Sequence, residues 1–243
     1  MNTMASKRLT LSTQVQNKLQ ERIMNGTYGK DEYLPSESSL SDEFGVSRTT
    51  VRDAVGALVE KGMLQRRQGK GILVIDRTTD VATASLRNMM LRGPYTVAEF
   101  LETREMIEKQ VAFFAASRAT PAQIDEMQTT IDRMIASAHI ISQYIQYDLE
   151  FHTQMAKASQ NHLLVMVYDA ISPLLGQMIR HVVLAAGTVE EEMRYHSKIL
   201  ECVRMGDGDG AQQRTMEHDA CSAQMFRDSI EANIRLDELI MRI

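Results

Sequence analysis

Residues 45–52 read Gly45-Val46-Ser47-Arg48-Thr49-Thr50-Val51-Arg52. Glycine takes a positive φ without steric cost and so ends helices. Serine two positions later is a good N-cap. A short helix therefore stops at Gly45 and a second starts after Ser47, across a three-residue turn. That is the spacing of a helix-turn-helix. The second helix sets Val51, Ala54, Val55 and Leu58 on one side and ends at Lys61-Gly62. Its first turns expose Arg48, Thr49, Thr50 and Arg52, with Arg48 and Arg52 four apart on one face. Arginine can bridge guanine O6 and N7, and threonine can touch a thymine methyl or a phosphate.

The flanks agree with this. Upstream, Val15, Leu19 and Ile23 mark one face of a helix over Leu11–Asn25, closed by Gly26-Thr27-Tyr28-Gly29. Leu34-Pro35-Ser36-Glu37 restarts the chain, with Ser36 capping a helix to about Phe44. Downstream, Met63–Arg67 reads as a strand, Gln68-Gly69-Lys70-Gly71 as a turn, and Ile72–Ile75 as a β-branched return strand. The hairpin has a basic tip at Lys70, where Gly69 lets backbone approach phosphates closely. The expected fold of residues 1–77 is a winged helix-turn-helix that binds DNA.

Charge supports a localised polyanion site. The 243 residues carry a formal charge of −5, which excludes a uniformly basic nucleic-acid coat. Residues 1–77 hold 12 Lys/Arg against 9 Asp/Glu, and the remainder holds 15 against 23. A basic head on an acidic body binds DNA through the head and keeps the body away from it. Two cysteines, Cys202 and Cys221, with no C-x-x-C pair, read as reduced thiols. No apolar run is long enough for a membrane span, and the polar Met1–Thr10 lacks an export signal core. These features predict a cytoplasmic protein with no membrane partner.

Residues 78–96 read as a linker with a short helix at Ala82–Leu91. From 97 to 243 the periodicity is helical throughout, with helices over about 97–118, 121–138, 142–158, 162–185, 189–204 and 208–230 and a short one at the end. Thr120-Pro121-Ala122-Gln123 and Thr188-Val189-Glu190-Glu191 are capping boxes, and Gly187 and Gly206-Asp207-Gly208 are breaks. The expectation is a mainly α chain whose C-terminal part is an antiparallel bundle able to host a ligand. Asp148 and His152 share a helix face, with His196 and His218 on later helices. One Asp and three His suit a divalent cation. Spacing alone leaves satisfied core histidines open as the other reading.

The quoted segments, with Arg67-Gln68-Gly69-Lys70-Gly71, resemble the winged-helix domain of the GntR family of bacterial transcription regulators. The resemblance assigns operator contacts to Arg48, Thr49, Arg52 and Gly69. It departs at Ser38, where members often carry arginine. Leu101-Glu102-Thr103-Arg104 with Ile107-Glu108 resembles the FCD ligand-binding domain of FadR-type members. So do Asp148–His152, Ala158–Asn161, Tyr195–Leu200 and Gly208–His218. The resemblance implies that Asp148, His152, His196 and His218 hold a divalent ion such as Zn, Ni or Mn. It also implies that Arg104, with Asn161 beside the same pocket, binds a small carboxylate effector. Tyr195 departs from the glutamate usual before the third ligand.

The function expected is a homodimeric, non-enzymatic regulator, a repressor in sign, that releases double-stranded operator DNA when a carboxylate effector binds. Two rivals stand beside it. One is a constitutive dimeric DNA-binding protein with structural histidines and Arg104 merely ion-paired to Glu108. The other is a metal-dependent hydrolase with Glu150 near the site.

Overall fold

The computed structural model describes residues 9–186, 190–229 and 234–241. The chain forms two compact units, Met1–Ala82 and Thr83–Ile243.

In the first unit, α1 (Leu11–Met24), α2 (Glu37–Phe44) and α3 (Arg48–Glu60) are followed by β1 (Leu64–Arg67) and β2 (Gly71–Val74). Local chemistry sets each boundary. Thr10, Ser36 and Ser47 cap the three helices by accepting the backbone N–H three residues on. Gly45 ends α2 in the left-handed region at φ 64°, where a Cβ would be strained. The antiparallel hairpin pairs Leu64 with Val74 and Arg67 with Gly71. The segment before α2 also runs along β2: Leu34 N–H donates to Ile72, and Asp31 and Glu32 exchange bonds with Val74. A core of Leu19, Leu40, Val51, Ala54, Val55, Leu58 and Leu64 lies under the helices and the hairpin. The apolar side of α3 is thus spent inward, which leaves Arg48 and Arg52 outside.

The stretch that reads as a linker is largely helix. α4 spans Thr78–Arg92, four residues earlier than the pattern suggests. Arg77 pairs with Asp80 at 3.2 Å, and this acidic residue in the first turn favours a start that the β-branched Thr78-Thr79 conceals.

The second unit is helical: α5 (Val97–Arg118), α6 (Pro121–Ala136), α7 (Ile141–Ala158), α8 (His162–Ala186), α9 (Glu190–Met205), α10 (Gly208–Ser229) and α11 (Leu236–Met241). Capping boxes open α5 (Thr96, Glu99) and α6 (Thr120, Gln123). The break at Gly187 and the first half of the box at Thr188-Val189 lie outside the described residues. The N-terminus of α5 is tied to the chain's end, where Thr96 bridges Arg235 and Val97 N–H donates to Ile234. α5 packs on α7, α9 and α10, and α7 on α6 and α8. Phe151, Tyr168, Leu174, Leu175, Ile199 and Leu200 fill the centre.

By length and composition α8 passes as a membrane span over His162–His181, at mean hydropathy 1.3. The sequence reading expects no such run. The helix packs as a core element instead, with Tyr168, Ile171, Leu174, Leu175 and Met178 buried against α7, α10 and α5.

Candidate functional site

The exposed end of the first unit gathers the residues expected to meet DNA. Arg48, Thr49 and Arg52 are exposed on α3, and Gly69 and Lys70 are exposed at the hairpin tip. Gly69 sits at φ 70°, and a Cβ added there would meet open space, so its role is conformational. Thr50 is half-buried, and its hydroxyl lies 2.8 Å from that of the cap Ser47. Of the six residues it is the one already engaged in holding the helix start.

The second site is buried in the helical unit. Asp148 and His152 project from α7, His196 from α9 and His218 from α10. One ligand-type atom of each lies within 4.8 Å of the others, and all four residues are buried. Nε2 of His196 stands 3.2 Å from Nε2 of His152 and 3.1 Å from Oδ1 of Asp148. Two ligands each about 2.1 Å from one ion lie roughly 3.0–3.4 Å apart, so these separations suit a shared divalent cation. Oδ2 of Asp148, Nδ1 of His196 and both ring nitrogens of His218 make no hydrogen bond among the described residues. Buried polar atoms are rarely left so. The donor set therefore fits a metal ion.

Protonation states agree. Burial pushes His152 well below the ordinary imidazole range, against the pull of Asp148. Burial and the facing His196 bring His218 down to about 4. Burial would raise Asp148, but the hydrogen bond from His196 and the surrounding imidazoles hold it below the usual carboxylate range. Neutral imidazoles beside an ionised carboxylate are the forms that bind metal.

A ring of carboxylates backs the cluster, and sequence reasoning does not place it there. Glu108 Oε2 lies 3.3 Å from Nδ1 of His152, and Asp219 Oδ1 lies 3.4 Å from Nδ1 of His218. Each can orient its imidazole through that Nδ1. Arg104 joins them, with Nε 3.0 Å from Glu108 and Nη2 3.4 Å from Asp219. In sequence the Arg104–Glu108 pair looks like a surface contact, but the structure buries it at 2% and 3% exposure. Glu192 accepts from Ser222 at 2.6 Å and from Tyr144 at 3.2 Å. The signals are in the sequence: Glu192 precedes His196 by one helical turn, Glu108 follows Arg104 by one, and Asp219 adjoins His218.

Two spaces adjoin these groups. A chamber of about 10 Å³ touches Glu108, Phe151, His152, Tyr168 and Thr215, room for roughly one water. A larger cleft of about 170 Å³ between α5 and α10 is lined by Val97, Leu101, Arg104, Asp219, Phe226 and Arg227. Arg104 Nη1 and the Tyr168 hydroxyl are buried without a hydrogen-bond partner among the described residues. Asn161 is not part of this group of contacts: its Oδ1 caps α8, accepting from the N–H of Leu163 and Leu164. Glu150, the base considered for hydrolysis, accepts from Gln154 at 3.4 Å.

Comparison with known proteins follows the same division. Residues 11–74 match the family "Bacterial regulatory proteins, gntR family", and residues 99–220 match the FCD domain. The chain is similar to the Exu regulon transcriptional regulator of Escherichia coli, 30% identical over 82% of this chain and 78% of that one. It is also similar to the E. coli galactonate operon transcriptional repressor, at 24% identity with coverage of 86% and 94%. The putative L-lactate dehydrogenase operon regulatory protein of E. coli is 28% identical, with coverage of 76% and 74%. A solved Streptococcus agalactiae GntR structure shares the fold at TM-score 0.63 and 21% identity, covering 88% of this chain and 99% of that one.

Proposed function

The chain belongs to the gntR family of bacterial regulatory proteins and carries an FCD domain, and from this premise we propose that it is a metal-dependent, carboxylate-responsive repressor. That it is a DNA-binding transcription regulator and not an enzyme follows from the family itself, which sets the hydrolase reading aside.

The observation that carries the finer reading is the buried Asp148-His152-His196-His218 cluster with the unpartnered Nη1 of Arg104 close behind it. The four residues would hold a divalent cation, Zn, Ni or Mn by donor type. Bound there, the ion supplies a Lewis-acidic site for an effector's carboxylate oxygen. Arg104, anchored by Glu108 and Asp219, keeps Nη1 as a charge-assisted donor for the same carboxylate. Galactonate and L-lactate, which appear in the names of two relatives, are both hydroxy carboxylates. They support sugar acids and hydroxy acids as the first effectors to try.

In the DNA-binding unit Arg48 and Arg52 would read base edges in the major groove, while Thr49, Gly69 and Lys70 meet the backbone. One recognition helix covers only a half-site, so the working form is a homodimer on a near-palindromic operator, in the cytoplasm where that DNA lies. Effector binding would favour the dimer arrangement that fits the operator less well, releasing DNA.

The experiment is a thermal melt against sugar acids, hydroxy acids and dicarboxylates, with and without chelator, followed by gel shifts with any stabilising compound. Stabilisation abolished by chelator, together with loss of the shifted band, is the expected result. If no compound moves the melt or the band, and His196→Ala leaves regulation intact, the constitutive DNA-binding reading replaces this one.

A further inference from the structure

Ser38 sits in the first turn of α2, and its side chain reaches across to α3. Its Oγ accepts from Nη2 of Arg48 at 2.6 Å. The preceding Glu37 has both carboxylate oxygens engaged. Oε2 accepts from Nε and Nη2 of Arg52, each at 3.3 Å, and Oε1 takes Nη1 of Arg66 on β1. Arg66 completes a ring by donating from Nη2 to the backbone carbonyl of Arg52 at 3.2 Å. The first turn of α2 therefore grips both arginines of α3 and one arginine of the hairpin.

A carboxylate on a DNA-facing surface would ordinarily repel phosphates. Here it is covered: the Glu37 side chain is 21% exposed, that of Arg52 66%. Together Glu37, Arg48, Arg52 and Arg66 keep a net positive charge. The hydrogen bond from Arg66, foremost, holds the Glu37 carboxyl below its ordinary range, so it stays ionised. A free arginine samples many rotamers and loses that freedom on binding. Arginines already held in one geometry lose less, and they lose it only toward the bases that this geometry fits. A guanidinium fork held in a fixed plane selects among base edges better than a mobile charge does.

We propose that Glu37 and Ser38 are positioning residues for operator selection, fixing the guanidinium groups of Arg48, Arg52 and Arg66 before DNA arrives. The proposal rests on the reading that Arg48 and Arg52 face base edges. It separates selectivity from affinity, since neither Glu37 nor Ser38 adds an attraction to phosphate.

The test uses the full-length protein and a pool of randomised duplexes. The wild type selects an enriched duplex, and the affinity ratio between that duplex and the unselected pool is then measured for wild type, S38A, S38T, E37Q and R48A. Ser38→Ala should lower the ratio about threefold to tenfold, the range expected for one newly mobile side chain, and Ser38→Thr should restore it. Glu37→Gln should lower the ratio while binding the unselected pool as tightly as wild type or tighter, because a negative charge has gone. A protein merely loosened by mutation would lose affinity for both. If S38A and E37Q both keep the ratio within twofold, the positioning role is overturned. If R48A selects the same duplex as wild type, the reading of α3 fails and takes the proposal with it. Loss in R48A with no loss in S38A or E37Q overturns the positioning role alone.

Discussion

The Nε2 atoms of His152 and His196 face each other at 3.2 Å although 44 residues separate them in the chain. Two imidazole lone pairs repel at that distance unless a proton or a cation lies between. Oδ1 of Asp148 lies 3.1 Å from the same His196 nitrogen, so an ion shared by all three would relieve the repulsion. Chelated protein should therefore melt lower than protein supplied with Zn or Ni. An ion at 100 times its dissociation constant adds about 2.7 kcal/mol, or roughly 5–10 °C for a unit of this size. His196→Ala should abolish the shift, and metal analysis should show its content fall. An unchanged shift in H196A would refute a shared ion.

The metal-free protein should lose stability in acid through His218. Its folded pKa of about 4 lies below the ordinary imidazole value of 6.5. The unfolded chain therefore binds the proton first as pH falls. The stability that neutral His218 contributes is present above pH 6.5 and lost between there and about 4. Glu108, raised by burial to about 8, acts with the opposite sign and itself feels the charge on His218. The difference between wild type and His218→Gln should keep a slope of the histidine's sign across this range. Parallel melting curves for the two across this acid range would contradict this.

Arg104 holds two buried carboxylates at once. Truncation to Ala strips the buried Glu108 and Asp219 of their donor and counter-charge, at a cost of at most about 3–5 kcal/mol, since burial already favours their protonated forms. Glu108→Gln in the same background should recover part of it, a coupling that a double-mutant cycle in urea reads directly. Additive losses would mean that the pair contributes through packing alone.

At the hairpin tip, Lys70 is exposed and Gly69 sits at φ 70°. Lys70→Ala should weaken binding uniformly across sequences and lower the slope of log K against log salt by about 1. Arg48→Ala should instead relax sequence preference. If K70A changes sequence preference and leaves the salt slope alone, the division of roles is reversed.

Boundaries in this chain are set locally, and so they are legible in the sequence. Ser36, Gly45, Ser47 and Thr120 each decide a helix end with a single side chain or a single φ. The start of α4 is not legible, because Thr78-Thr79 carries no apolar periodicity to announce it. The site is legible only as residue types at helical spacing. Whether Asp148, His152, His196 and His218 meet depends on how α7, α9 and α10 rotate against one another, which is fixed by core residues such as Phe151 and Ile199. The backing carboxylates are hidden for a related reason. Glu108 and Asp219 look like ordinary surface charges in sequence, and burial beside Arg104 reveals them otherwise.

The bridge between Thr96 and Arg235 brings the start of α5 and the last described segment of the chain within one strand spacing. Past that bridge α11 turns back onto the bundle, with Leu236 and Leu239 buried in the same core, so the segment acts as a clasp beside the start of α5. Leu239→Ala should cost about 2–5 kcal/mol, read as a lower melt of the full chain, and an unchanged melt would contradict this fastening. Such a clasp would keep the first turn of α5 from fraying.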